Sequence, residues 1–276
     1  MSYKKILTIQ DISCVGQCSL TVALPILSAC GVETCILPSA ILSTHTAGFS
    51  GYTVRDLTDD MPAICDHWVK ENIKFDAIYT GYLGSTKQID FVKDIISRTS
   101  KDNSVTIIDP AMADGGKLYP AFDTEYVTAM KTLCCNADIL LPNMTEACFL
   151  TDTEYKESYD RDYIESLLCA LEKLGAKTIV LTGISYNIGK TGVVVRENGV
   201  TSYYEHDKIT KGSHGTGDIY ASAFTGALMQ GKSVYDSAKI AADYTVECIL
   251  ATQDDPDHWY GVKFEAVIDK LIAMLK

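Results

Sequence analysis

Short, largely apolar runs rich in β-favouring residues alternate with longer stretches of helical periodicity along this 276-residue chain. That alternation constrains the fold more than any single motif. The apolar runs fall at 5–10, 33–37, 77–80, 105–108, 139–141 and 178–182, and the helical patterns at 19–29, 61–71, 88–98, 124–134 and 163–174. A strand that is apolar at every position is buried on both faces. The pattern therefore predicts an α/β fold with a central, mostly parallel sheet and helices on both faces. It breaks once: 192–196 and 200–204, separated by Glu197-Asn198-Gly199, predict a short β-hairpin late in the chain, with Asn-Gly as its turn. Helical patterns over 217–230, 233–251 and 262–275 follow. No repeat, low-complexity segment or linker divides residues 1–276, which predicts a single domain. In open parallel sheets the ligand crevice lies outside the carboxyl ends of the strands, so the polar residues just after each strand are the candidates for a site.

Composition narrows what such a site can bind. A formal net charge of −12 argues against nucleic acid, whose phosphates need clustered Lys and Arg. A phosphate site here must be built locally, from backbone amides, a few cations and metal. No window approaches the ~18 apolar residues of a membrane span. The residues after Met1 lead into a strand-like run rather than a signal-peptide core. The ten cysteines contain no Cys-x-x-Cys pair and no zinc spacing, and most sit in apolar stretches. Free thiols in a reducing cytoplasm are expected.

The most telling string is Lys211-Gly212-Ser213-His214-Gly215-Thr216-Gly217-Asp218, which runs directly into an apolar helical pattern. The first amides of a helix lack intrahelical partners and carry the positive end of its dipole, so they attract anions. Gly215 and Gly217 allow close backbone approach. A carboxylate there, Asp218, is placed to take a proton from an attacking hydroxyl. A cradle for the migrating group and a base for the acceptor are what phosphoryl transfer requires. Alone, the string reads equally well as a tight turn.

Other strand ends carry Asp11 and Ser13; His45 and Thr46; Tyr82 in Gly81-Tyr82-Leu83-Gly84; Asp109-Pro110 with Asp114; Asn143 with Glu146; and Thr182-Gly183. Each has a plainer reading. Asp109-Pro110 can simply end a strand. Asn143 and Glu146 have capping-box spacing, which would compete with a functional role for that carboxylate. His45 can be a neutral loop histidine bonded to backbone, and Tyr82 a surface aromatic. Together, however, Asp109, Asp114 and Glu146 are hard oxygen ligands of the kind Mg²⁺ takes, directly or through its waters. No strand run leads into a Gly-x-x-x-x-Gly-Lys-Ser/Thr loop, and there is no protein-kinase motif set. What remains is a small-molecule kinase of different construction.

Six segments in order carry a resemblance: Thr8-Ile9-Gln10 with Gly16, Leu42-Ser43-Thr44-His45-Thr46, Thr80-Gly81-Tyr82-Leu83-Gly84-Ser85, Ile108-Asp109-Pro110-Ala111-Met112, Leu141-Pro142-Asn143-Met144-Thr145-Glu146 and Gly215-Thr216-Gly217-Asp218. Over essentially its whole length the chain resembles the ribokinase-like superfamily, and within it the pyridoxal/pyridoxamine (vitamin B6) kinases. The resemblance implies that Asp218 accepts the proton of a substrate 5′-hydroxymethyl group, with the amides of Gly215, Thr216 and Gly217 forming the anion hole. It implies that Asp109, Asp114 and Glu146 organise Mg²⁺ and the phosphates of ATP. Asn143, Thr182, Gly183 and Thr216 would lie along the nucleotide phosphates, and the segment containing His206 and Lys208 near the adenine. Asp11, Ser13, His45, Thr46 and Tyr82 would line the pyridine pocket.

The implied partners are ATP and a small pyridine, the implied cofactor is Mg²⁺ with a monovalent cation left open, and the implied assembly is a homodimer. Asp11 stands where the family commonly has Ser, which points to a preference for pyridoxamine. Two alternatives stay open: a hydroxymethylpyrimidine kinase of thiamin synthesis, whose turn is similar but ends in Cys, and a non-catalytic B6-binding protein.

Overall fold

The computed structural model describes residues 3–209 and 214–276. The chain opens with β1 (Lys5–Ser13), α1 (Leu20–Ala29), β2 (Glu33–Leu42), β3 (Val54–Asp56), α2 (Met61–Lys70), β4 (Phe75–Thr80), α3 (Thr86–Thr99) and β5 (Ser100–Ile108). The middle holds β6 (Ala113–Asp114), β7 (Lys117–Leu118), α4 (Thr124–Cys134), β8 (Ile139–Leu140), α5 (Met144–Thr151), α6 (Arg161–Leu174) and β9 (Thr178–Ile184). The chain closes with β10 (Lys190–Glu197), β11 (Val200–Asp207), α7 (Thr216–Met229), α8 (Val234–Thr252) and α9 (Ile268–Met274).

Nine strands form one sheet in the order β11-β10-β9-β8-β5-β4-β1-β2-β3. The run from β2 to β9 is parallel, and antiparallel pairs close both edges. The apolar strands feed two cores, as a sheet covered on both faces requires. In β4, Ala77 and Tyr79 pack with α1, α7 and α8, whereas Ile78 packs with α2 to α6; Val180 and its neighbours Ile179 and Leu181 divide in the same way. The late hairpin forms as expected: Glu197 pairs with Val200, and Asn198 and Gly199 both take positive φ (51° and 76°), the primed turn that matches strand twist.

Four features depart from the sequence expectation. β1 and β2 run on to Ser13 and Leu42, carrying Asp11 and Ser13 inside the strand. β3 is a fully exposed three-residue edge strand, too short to show a period. The Gly-rich loop after β5 folds into a separate β6–β7 hairpin. The stretch 262–275 is broken into a 3₁₀ turn, Phe264–Val267, followed by the short α9. Among the described residues no helix is long and apolar enough to cross a membrane.

Candidate active site

β1 is where the strand order reverses, with β2 on one side and β4 on the other. Crevices in such sheets open at this point, outside the carboxyl ends of the strands. Asp11 and Ser13 close β1, His45 follows β2, Tyr82 follows β4, Asp109 follows β5, Asn143 and Glu146 follow β8, and Thr182 lies near the end of β9. Residues spread over 170 positions thus share one edge. Asn143 and Thr182 face each other across a parallel bridge.

Glu146 is the most constrained of them. Asn143 caps α5 by accepting from the Glu146 amide (2.9 Å), and the Glu146 carboxylate accepts from the Asn143 amide (2.8 Å), so the capping box is complete. The other carboxylate oxygen accepts from the Met112 amide at 3.1 Å, and the Ala113 amide adds a further bond. Asn143 Nδ2 donates to the Ala113 carbonyl at 2.8 Å. One Asn-x-x-Glu pair therefore both starts a helix and fastens the loop that carries Asp109 and Asp114. Replacing Asn143 by Ala removes bonds at both ends. A cost of about 1–2 kcal/mol is expected, read as a drop of a few degrees in thermal unfolding.

Asp109 is buried beside Glu146 and Asp218, and its carboxyl is held well above the ordinary range by burial first and those two charges second. Burial likewise raises Glu146, opposed by the three amides it accepts from. Such a pair invites a compensating cation. The third expected ligand does not join them: Asp114 is exposed on the β6–β7 hairpin, its carboxylate accepting from the Gly115 amide at 2.8 Å. Among the described residues no three His, Cys, Asp or Glu side chains are close enough to hold a metal ion directly. With both Glu146 oxygens engaged by amides, the donor set suits Mg²⁺ that keeps several of its waters.

Elsewhere along this edge, α7 starts after Gly215, which takes φ 76° as its N-cap and has no side chain to offer as a cap. Asp218, in the first turn, is pushed up to about 7 by burial and secondarily by Asp11, against a lowering bond from the Ser19 amide. Asp11 is buried, accepts from Ser13 Oγ at 3.1 Å and from the Ser19 hydroxyl, and is raised by burial despite these bonds. Tyr82 is pushed up to about 12 by burial and by Asp11, and its ring lies 5.3 Å from Phe122.

The His45 ring is fixed by main chain. The Ala47 amide donates to Nδ1 (3.2 Å), so Nε2 carries the proton and donates to the Tyr260 carbonyl (2.7 Å). The plainer reading of His45 holds for both nitrogens, which leaves the ring face and edge to meet a ligand. The ring packs so closely on Gly16 that a Cβ there would overlap it. Thr46, next in the loop, is exposed. His206 lies in β11, its Nδ1 2.9 Å from the Asp207 carbonyl, and the Lys208 amide donates to Gly189 at 2.9 Å. Gly183 is exposed in β9. Thr210, Lys211, Gly212 and Ser213 lie outside the described residues.

Two residues at this edge escaped the sequence reading. Ser19 adopts φ 55°, uncommon without glycine, and bridges Asp11 through its hydroxyl and Asp218 through its amide. Tyr119 sits among Glu146, Asp109, Asp114 and Asp218, and its phenol is raised by burial and by all four. A lone Ser before a helix reads as an ordinary cap, and a lone Tyr carries no spacing signal.

The two-sided α/β sheet and the comparisons with known proteins together show a kinase, a phosphotransferase acting on an alcohol group. The profile of the phosphomethylpyrimidine kinase family matches residues 24–261. The chain belongs to this family, in the pyridoxal kinase group of the ribokinase-like superfamily. A Bacteroides thetaiotaomicron VPI-5482 protein assigned to the phosphomethylpyrimidine kinases shares 36% identity, with TM-score 0.94 over 98% of this chain and 94% of that one. Its orthorhombic form, solved with pyridoxal, gives TM-score 0.91 over 98% and 96%. Pyridoxal kinase from Lactobacillus plantarum is 30% identical, with TM-score 0.91 over 99% and 98% of the two chains. Pyridoxal kinase of Dictyostelium discoideum is 26% identical, covering 80% of this chain and 77% of its own.

Proposed function

We propose that this chain, acting as one catalytic domain, transfers the γ-phosphoryl group of ATP to the 5′-hydroxymethyl group of a B6 vitamer. The products are the 5′-phosphate and ADP. The observation that carries the reading is Asp218: a carboxylate in the first turn of α7, pushed up to about 7 by burial, beside the buried Asp11. A base is most effective when its pKa lies close to ambient pH. The pyridoxal-bound Bacteroides relative supports the choice of acceptor. In this reading Asp218 accepts the hydroxyl proton, and the amides of Gly215, Thr216 and Gly217 receive the migrating group. Asn143, Thr182 and Gly183 border the nucleotide phosphates, with His206 and Lys208 towards the base. Asp109 and Glu146, with Asp114 further out, are the residues that would hold Mg²⁺. Mg²⁺ bound with ATP offsets charge on the β- and γ-phosphates. Asp11, Ser13, His45, Thr46 and Tyr82 line the pyridine pocket.

A second reading, hydroxymethylpyrimidine kinase, is favoured by the matched family profile and by His214-Gly215-Thr216-Gly217. ADP release with pyridoxal, pyridoxamine, pyridoxine and hydroxymethylpyrimidine, with and without Mg²⁺, separates the two. Turnover confined to the pyrimidine rejects the B6 reading, and turnover on none favours a binding protein.

Asp11 sets a finer expectation. A buried carboxylate gains most from a cationic neighbour, so the aminomethyl group of pyridoxamine is the preferred partner. A hydrogen bond to a charged group is worth roughly 1.5–3 kcal/mol, so Asp11→Ser should lower the pyridoxamine-to-pyridoxal ratio of kcat/KM by about ten- to a hundredfold. An unchanged ratio rejects the preference.

A further inference from the structure

Gln17 stands where three distant parts of the chain meet. Its carbonyl oxygen lies against Gly215, so closely that a Cβ on that glycine would overlap it. Its side chain is gripped from the C-terminal segment: Nε2 donates to both Glu265 carboxylate oxygens (3.1 and 2.9 Å), and Oε1 accepts from His258 Nε2 at 2.8 Å. Its amide donates to the Tyr260 carbonyl (3.4 Å), the same oxygen that receives the His45 ring proton. Two residues on, Ser19 holds Asp218 by its amide and Asp11 by its hydroxyl, in a positive-φ conformation that only surrounding contacts can maintain.

We infer that Gln17 is a positioning residue: clamped by Glu265 and His258, it sets the turn that seats the Gly215 end of the phosphoryl cradle and aims the Asp218 carboxylate. The proposal rests on the reading of residues 215–218 as cradle and base. The donor–acceptor pattern is specific. The amide of Gln17 gives its N–H groups to a carboxylate and its oxygen to an imidazole N–H, so the clamp has one orientation. Glu265 and His258 lie 248 and 241 residues away in sequence. The C-terminal segment thereby acts on transfer without touching the reacting atoms.

Loss of the clamp moves the turn rather than unfolding it, and small displacements at a reacting centre reduce turnover more than binding. Gln17→Ala should lower kcat about tenfold, with KM for ATP and acceptor each within about twofold. Gln17→Glu sets two carboxylates together and should lower kcat further. Adding Glu265→Gln restores a donor facing an acceptor and should bring kcat back to within about twofold of wild type.

The rates are read with whichever of pyridoxal, pyridoxamine or hydroxymethylpyrimidine the wild-type protein phosphorylates, so the test does not depend on the vitamer assignment. An unchanged kcat in Gln17→Ala overturns the proposal, as does a double variant no better than Gln17→Glu. Near-normal turnover in Asp218→Asn would instead overturn the cradle reading beneath it.

Discussion

Asp218→Asn is expected to lower kcat by about 10²–10⁴-fold, the usual cost of removing a general base, with little change in KM for ATP or acceptor. Asparagine keeps the shape and loses the charge. The pH dependence gives the same test a second readout. Burial raises the Asp218 carboxyl to about 7, so the base is ionised above that value and protonated below it. Wild-type kcat/KM should therefore rise with pH through about 7 and level off, and the residual rate of Asp218→Asn should lack this limb.

Stability should move the other way. A carboxyl whose folded pKa is raised stabilises the fold most fully below its unfolded pKa, and that contribution is lost as pH rises through the folded pKa. Removing the charge should leave the melting temperature at pH 8 no lower than wild type. Near-normal turnover, or a pH limb that survives the substitution, rejects Asp218 as the base.

Gly215→Ala should be nearly as damaging, for a steric reason. Gly215 has φ 76°, and its Cβ position overlaps the Gln17 carbonyl and lies 3.4 Å from Cys18 Sγ. The left-handed backbone alone disfavours a non-glycine residue by roughly 1–2 kcal/mol. The overlap then forces the start of α7 away from the turn that holds it. Displacement of about 1 Å can cost on the order of a hundredfold in rate, and that is the loss expected in kcat/KM. Gly217 provides the control for stability. A Cβ there meets nothing within 4 Å, so Gly217→Ala should unfold at or slightly above the wild-type temperature while Gly215→Ala unfolds below it. Equal melting temperatures for the two variants would reject the steric account.

Much of the architecture was legible because burial on both faces leaves a direct trace. Val180 sends its side chain to one core and Leu181 to the other, so both must be apolar, and the run reads as a parallel strand. The same regularity located the ends of β4, β5 and β8, and with them Tyr82, Asp109 and Asn143, whereas Asp11 and Thr182 lie inside strands that run on past their apolar pattern. The three-residue β3 and the split of 262–275 left no such trace, because short or exposed segments have no period to read. His45 shows the limit of motif reading: its place just after β2 was legible, but the Tyr260 carbonyl that fixes its tautomer lies 215 residues away. Glu146 shows another limit. Its spacing from Asn143 allowed a cap or a ligand, and the fold gives it the cap and the grip on Met112 together.

By itself the sequence determined the alternation of strands and helices, the residues at the strand ends, and the string that sets Asp218 after two glycines. These are short-range properties, carried by periodicity and by the backbone freedom of glycine. Only the tertiary structure decided that Asp109 and Glu146 share a buried site while Asp114 stays outside it, and that Ser19 ties Asp11 to Asp218. It also decided that Gln17 joins Glu265 and His258 to the Gly215 turn. Charge interactions and desolvation depend on distance and on surrounding protein, and separation along the chain specifies neither.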